Sequence, residues 1–383
     1  MNKLFLITLL LPLAAVGDDQ PRARDLGIPF DGTPGAYNAI TDIPGVTVGF
    51  ETIVEDLDGD KAVRTGVTAI LPRGATTNSQ PVYGGWFSLN GNGEMTGTTW
   101  VEESGFIEGP IMITNTHSVG AVHEGTIKWR FENGAADASG YWWSLPVIAE
   151  TWDGYLNDIN GFHVRPHHAG AAIEAAKGGP VAEGNVGGGT AMNCFEYKCG
   201  TGTSSRVTET AGSSYTVGVL VQANFGRRDN LIVAGVPVGK RLRNDMVFSS
   251  TLPDFQGLGS IIIVVGTDAP LLPHQLKRLT RRAAMGLSRT GSIASNGSGD
   301  IFIAFSTANG DVGQASSGSG IESVPNEEIV PLFEATVQAT EEAIINALVA
   351  GRTMTGNLGN TVTSIDHEQL RQVLREHNRL VED

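Results

Sequence analysis

The sequence predicts a layered α+β protein and not a doubly wound parallel sheet. Short β-type apolar runs recur along the whole chain, and helical stretches with 3.6-residue spacing are mixed among them without strict alternation. The composition points the same way. Gly accounts for 50 of 383 residues, well above the usual share of about 7%. No Gly-X-Y period accompanies it, so these glycines read as tight turns and close backbone approaches. Hydrophobic residues at 40% are too many for a disordered chain. There is no internal repeat and no long linker.

The elements follow in order. Residues 46–50 (VTVGF), 66–71 (GVTAIL) and 111–114 (IMIT) are short strand-type runs between Gly- and Pro-rich turns. A short helix is expected over 171–177, stopped by Gly178-Gly179-Pro180. The glycine stretch 184–189 is a loop without large side chains: either a plain turn or a place where substrate meets backbone. Residues 215–224 (YTVGVLVQAN) read as a buried strand, and 239–257 are turn-rich. Ser260 then opens the β-branched run 261–265 (IIIVV). A helix over 273–288 starts with Pro273 and repeats Leu276, Leu279, Ala283, Ala284 and Leu287 on one face. Residues 301–305 (IFIAF) form another buried strand. Residues 326–350 form a long helix with Asn326 as its candidate cap. Asp366 caps a last amphipathic helix through Leu370, Val373 and Leu374.

Residues 1–17 carry one Lys, then a 13-residue apolar run, Leu4 to Val16, then small residues suited to cleavage after Gly17. That is the pattern of a secretory signal peptide, and it is shorter than the roughly 18 residues a membrane span needs. The expected product is secreted or periplasmic and free of the membrane. The charge is −15, with 26 basic against 41 acidic residues. Binding nucleic acid by neutralising phosphates is therefore not expected. An oxidising compartment permits a disulfide between Cys194 and Cys199, but their spacing alone does not fix the Cα separation.

The chemistry is narrowed first by what is missing. No Gly-x-Ser-x-Gly, HExxH or P-loop pattern occurs. His163, His167 and His168 stand at ligand-like spacing, but Pro166 disfavours helical geometry at Arg165, so they are read as solvent-facing or loop-packing. No metal or cofactor is expected. The junction Gly257-Leu258-Gly259-Ser260 suggests a different chemistry. In N-terminal nucleophile hydrolases the chain cuts itself before a Ser, Thr or Cys. The freed α-amine, with a pKa of about 7.7–8.0, then serves as base for its own hydroxyl.

Several stretches together carry a resemblance: 38–49 (NAITDIPGVTVG), 146–161, 178–192, 215–226, 259–283, 298–309, 339–348 and 353–356. In them the chain resembles the self-processing aminopeptidases that include L-aminopeptidase/D-amidase/D-esterase and the β-peptidyl aminopeptidases. The resemblance implies a four-layer αββα sandwich and a self-cleaving serine aminopeptidase. Its α-chain would be 18–259 and its β-chain 260–383, both within one catalytic domain, with cleavage between Gly259 and Ser260. It implies Ser260 as nucleophile, Ser298 and Asp300 as groups orienting the nucleophile and its amine, and Asn224 as the oxyanion amide. Glu150 would bind the substrate's free amine. Trp152 stands where some relatives carry Tyr; lacking a hydroxyl, it suits a pocket wall. Substrates would be short peptides, amides or esters with a free amine, and the assembly a homo-oligomer of cleaved units. Two alternatives stand beside this reading: an ornithine acetyltransferase-like acyltransferase, which would use Thr as nucleophile, and a secreted relative that has lost catalysis.

Overall fold

The computed structural model describes residues 21–136, 139–242, 259–313 and 320–382. The expected signal peptide, 1–17, and all but the first residues of the turn-rich stretch 239–257 lie outside the described residues. Strands β1 (Thr47–Asp56) and β2 (Ala62–Leu71) form an antiparallel hairpin. β3 (Val82–Gly91), the short helix α1 (Thr98–Ser104), β4 (Phe106–Ile107) and β5 (Ile111–Asn115) follow. Next come α2 (Val119–Glu132), β6 (Val147–Thr151) and α3 (Pro166–Glu174). A two-residue pair, β7 (Asn193–Cys194) and β8 (Tyr197–Lys198), precedes β9 (Thr201–Thr210) and β10 (Ser213–Asn224). The rest comprises β11 (Gly259–Thr267), α4 (Pro273–Arg289), β12 (Ser298–Ser306), α5 (Val330–Val349), β13 (Met354–Thr355), β14 (Thr361–Val362) and α6 (His367–Glu376).

Two sheets organise these elements. One has the order β1-β2-β5-β6 and the other β4-β3-β12-β11-β10-β9. Side-chain alternation sorts the apolar residues into layers. Ile262, Val264, Ile301 and Ile303 pack with Ile70, Ile111, Ile113 and Ala149 between the sheets. The intervening Ile261, Ile263, Phe302 and Ala304 pack on the far side with Leu276 and Leu279 of α4 and Ala339 and Ile344 of α5. Val67, Ala69 and Met112 meet Val122 of α2 and Ala169, Ala172 and Ile173 of α3. The result is helix, sheet, sheet, helix: the four-layer αββα sandwich.

Two boundaries differ from expectation. Helix α3 starts at Pro166, before the expected Ala171, because a proline at the first helical position has its φ already set. The long helix begins at Val330 and not at Asn326, since Pro331 occupies its first turn. Asn326 instead accepts a hydrogen bond from Arg278 at 2.6 Å. Asp366 does cap α6, accepting from the Gln369 N–H at 3.0 Å.

Candidate active site

Register brings the reactive groups together. Ser260 is the second residue of β11, opposite Asn224 on antiparallel β10 and beside Gly299 on parallel β12. Ser260 shares the inter-sheet face of its strand with Ile262 and Val264, and Asn224 shares that of its strand with Leu220. Both therefore face the four-stranded sheet at the sandwich edge. There a cavity of about 340 Å³ is lined by Asn92, Gly93, Glu94, Thr116, Glu150, Trp152, Gly259, Ser260 and Gly297. A larger cleft of about 610 Å³, near Arg352 and α6, is lined by none of these residues.

Close backbone contact explains two glycines. A Cβ on Gly259 would lie 2.2 Å from the Asn224 carbonyl oxygen, so no side chain fits before the nucleophile. A Cβ on Gly299 would lie 2.5 Å from the Asn92 carbonyl oxygen. Its bare backbone lets its N–H donate to Ser260 Oγ at 3.3 Å.

Ser298 and Asp300 lie on the opposite face of β12 from Gly299, by the same alternation. Ser298 Oγ donates to Asp300 Oδ1 at 2.6 Å, and the Ile261 N–H faces the carboxyl. The pair thus meets the backbone next to the Ser260 nitrogen, and among the described residues the contact to Ser260 Oγ comes from Gly299. Burial raises the Asp300 pKa to about 6, against the opposing pull of the Ser298 hydroxyl and the Ile261 N–H. Asp300 Oδ2 has no partner among the described residues.

The Asn224 amide is held at both ends. Its Oδ1 accepts from the Asn193 N–H at 2.9 Å, and its Nδ2 donates to the Trp152 carbonyl at 2.8 Å. That leaves the second amide hydrogen for another acceptor. Trp152 therefore acts twice, lining the cavity with its side chain and holding the amide with its backbone.

Glu150 ends the cavity on the four-stranded side and is only 3% exposed. Its Oε1 accepts from the Glu94 N–H at 3.0 Å, and its Oε2 accepts from the Thr116 hydroxyl. Burial raises its pKa; the two hydrogen bonds and nearby His117 work against that shift. Lining the same cavity, Glu94 presents a second carboxyl.

Comparison with known proteins places this geometry. The model of peptidase family S58 matches residues 38–362. The chain belongs to peptidase family S58. A β-peptidyl aminopeptidase of Sphingosinicella microcystinivorans is 52% identical over 98% of this chain and 97% of its own length. Among solved structures, the L-aminopeptidase D-Ala-esterase/amidase of Ochrobactrum anthropi superposes with a TM-score of 0.88 at 49% identity. The match covers 94% of this chain and all of that one, a serine aminopeptidase with a variant of the Ntn hydrolase fold. A Burkholderia β-aminopeptidase matches at 46% identity and a TM-score of 0.85, over 93% and 99% of the two chains. As an S58 peptidase, this chain is a hydrolase of the serine aminopeptidase type.

Within this S58 chain, sequence reasoning missed Thr116, the Glu94 N–H and the Asn193 N–H. Thr116 follows a β-type run as an ordinary loop residue, and backbone donors carry no residue-type signal. The loop around Gly187-Gly188-Gly189 is a packing turn. Added side chains there would strike Phe50, Thr68, Gln222 and Thr201, none of which lines the cavity. His163 pairs with Asp158 at 3.1 Å, and His168 Nδ1 accepts from the Arg165 N–H. No cluster of three or more metal-ligating side chains occurs among the described residues. Cys194 and Cys199 are paired, with a Cα separation of 5.5 Å.

Proposed function

We propose that this S58 peptidase is secreted, cuts itself between Gly259 and Ser260, and works as a homo-oligomer of cleaved units. The segments 18–259 and 260–383 then act as its α- and β-chains. It releases an N-terminal residue, either a β-amino acid or a small L-amino acid, from short peptides, and also acts on amides and esters of D-amino acids. The observation that carries this reading is the position of Ser260, second in β11, which pairs in register with Asn224 and lines a cavity that ends on buried Glu150. Two β-peptidyl aminopeptidases, at 52% and 45% identity, support it.

In this mechanism the substrate ammonium pairs with Glu150. Ser260 Oγ attacks the adjoining carbonyl carbon while its proton passes to the Ser260 α-amine. The free hydrogen of Asn224 Nδ2 meets the oxygen as it gains charge. The leaving amine takes the proton from the α-ammonium, and the C–N bond breaks. Water then attacks the acyl ester, and Ser260 Oγ recovers its proton. Above pH 6 Asp300 is ionised and favours the charged α-amine beside it.

The test is Ser260→Ala, read by mass and by turnover of β-homoalanyl and L-alanyl p-nitroanilides. One uncut, inactive chain is the expected result. A chain still split at Gly259, or one that still turns over substrate, removes Ser260 from its role.

A further inference from the structure

The pair β7–β8 is unusual for its turn. Asn193 pairs with Lys198 and Cys194 with Tyr197, leaving Phe195 and Glu196 as the two turn residues. Both have positive φ, 53° and 63°. Such turns favour Asn-Gly, because two successive left-handed residues disfavour ordinary side chains. Here both side chains are also buried, Phe195 at 0% and Glu196 at 4% exposure.

Several bonds hold this unfavourable turn shut. The Cys194–Cys199 disulfide spans it. The Phe195 N–H donates to the Phe225 carbonyl at 2.8 Å, directly after Asn224. Arg228 donates to the carbonyls of Phe195 and Glu196 at 2.8 and 3.0 Å. Lys198 Nζ donates to the carbonyls of Met192 and Cys199 at 2.8 and 2.6 Å. The outcome of this bracing is one N–H, that of Asn193, aimed at Asn224 Oδ1.

An Asn side chain has two nearly isosteric ends. Two contacts tell them apart here: the Asn193 N–H on the oxygen side and the Trp152 carbonyl on the nitrogen side. With the Asn193 N–H in place, the amide is pinned from both ends. With it gone, only the Trp152 carbonyl holds the orientation, the amide swings more widely, and its donor is less often aimed at a developing oxyanion.

We propose that the disulfide-closed hairpin Asn193–Cys199 is a positioning device for catalysis, holding a strained turn so that the Asn193 N–H orients the Asn224 amide. The inference rests on the oxyanion reading of Asn224 given above. Cys194, Cys199 and Asn193 are thereby positioning residues, acting through Asn224 without touching substrate.

The test uses full-length protein, with rates normalised to cleaved enzyme by mass and measured well below each variant's Tm. Removing an oxyanion donor costs roughly 10²–10³-fold in kcat, and Asn224→Ala sets that reference. Cys194→Ser with Cys199→Ser should lower kcat by about 10-fold or more while KM stays within about twofold, a smaller loss than the donor's own. Asn193→Pro strips the one N–H while keeping the disulfide, and should lower kcat in the same way. Adding Glu196→Gly to the cysteine pair should restore part of kcat, because Gly accepts the left-handed turn, but should not rescue Asn193→Pro. A lowered Tm with kcat intact in the cysteine pair and in Asn193→Pro makes the hairpin merely structural and overturns the proposal. If Asn224→Ala itself keeps its kcat, the oxyanion assignment fails and the hairpin's role fails with it. If Asn224→Ala loses kcat and both hairpin changes do not, only the hairpin inference fails.

Discussion

Around the cavity edge the six-stranded sheet holds a hydroxyl, an amide and a carboxyl on three adjacent strands, the hydroxyl lining the cavity and the carboxyl on the far face of its strand. Ser260 Oγ accepts from the Gly299 N–H, Asn224 is held at both ends, and Asp300 accepts from Ser298 and faces the Ile261 N–H. The four-stranded sheet presents one carboxylate at the end of β6, held by Thr116 and the Glu94 N–H. The first sheet supplies groups that change protonation or form bonds in the proposed mechanism. The second supplies charge that waits for a ligand. The difference teaches that losses on the first side should appear in kcat and losses on the second in KM.

The largest effect expected from this contrast, after loss of Ser260 or of the Asn224 amide, is at Asp300. Its pKa of about 6 places an ionisation on the acid side of the working range. The wild-type kcat/KM should first fall as the α-amine base takes up its proton below about 7.7–8.0, and fall more steeply as pH drops through about 6, where the Asp300 carboxyl takes a proton and no longer favours the charged α-amine. Asp300→Asn should lower the plateau by on the order of 10²-fold and remove that second, steeper step while the amine's own limb remains. A pH–rate profile checks it: an unchanged second step in the variant assigns the ionisation to another group and weakens the contrast.

The same contrast explains what was legible in the sequence. The run 261–265 declared a buried strand, and alternation within it places Ser260 on the inter-sheet face. The Gly259-Ser260 junction suggested the nucleophile from residue types alone. Gathering Glu150, Asn224, Ser260, Ser298 and Asp300 took a family resemblance, because pairing across sheets depends on register that local sequence does not encode. The facing of Ser298 and Asp300 away from Ser260 Oγ is likewise a register effect, since Gly299 alone shares the Ser260 face. Backbone donors such as the Asn193 and Glu94 N–H groups were invisible, because every residue but proline has one.

A smaller effect is expected on the binding side. Glu150→Gln keeps an acceptor for the Glu94 N–H but loses the charge that meets an ammonium. A hydrogen bond to a charged group contributes about 1.5–3 kcal/mol. The variant should therefore raise KM for free-amine p-nitroanilides by roughly 10-fold or more, with kcat less affected. Self-cleavage involves no substrate amine and should proceed at its usual rate. Equal losses in both reactions would make Glu150 a structural carboxylate and erase the division between the sheets.

The smallest effect on turnover, and the sharpest probe of the binding side's support, is at Asp153, just beyond β6. Asp153 is 1% exposed. Neither of its oxygens has a geometrically satisfied partner among the described residues, although Thr65, Asn115 and Asn157 face it. Burial, outweighing those groups, raises its pKa from the usual 3.8 to about 7. A carboxyl with a folded pKa above its unfolded value binds its proton more tightly in the native state. Stability from this group is therefore full below pH 4 and is lost as pH rises towards 7, the reverse of a salt-bridged acid. A shift of this size corresponds to on the order of 4 kcal/mol at 1.36 kcal/mol per unit, an upper bound for the loss. Asp153→Asn cannot ionise, so it should denature at higher urea than wild type at pH 8 and show a smaller advantage at pH 5. Its kcat/KM at pH 7 should stay within about twofold, since it lines no part of the cavity. A urea midpoint that responds to pH identically in both proteins would mean that Asp153 keeps its charge, held by water or by the amides around it. The turn that follows β6 would then be anchored by an anion rather than by a neutral acid.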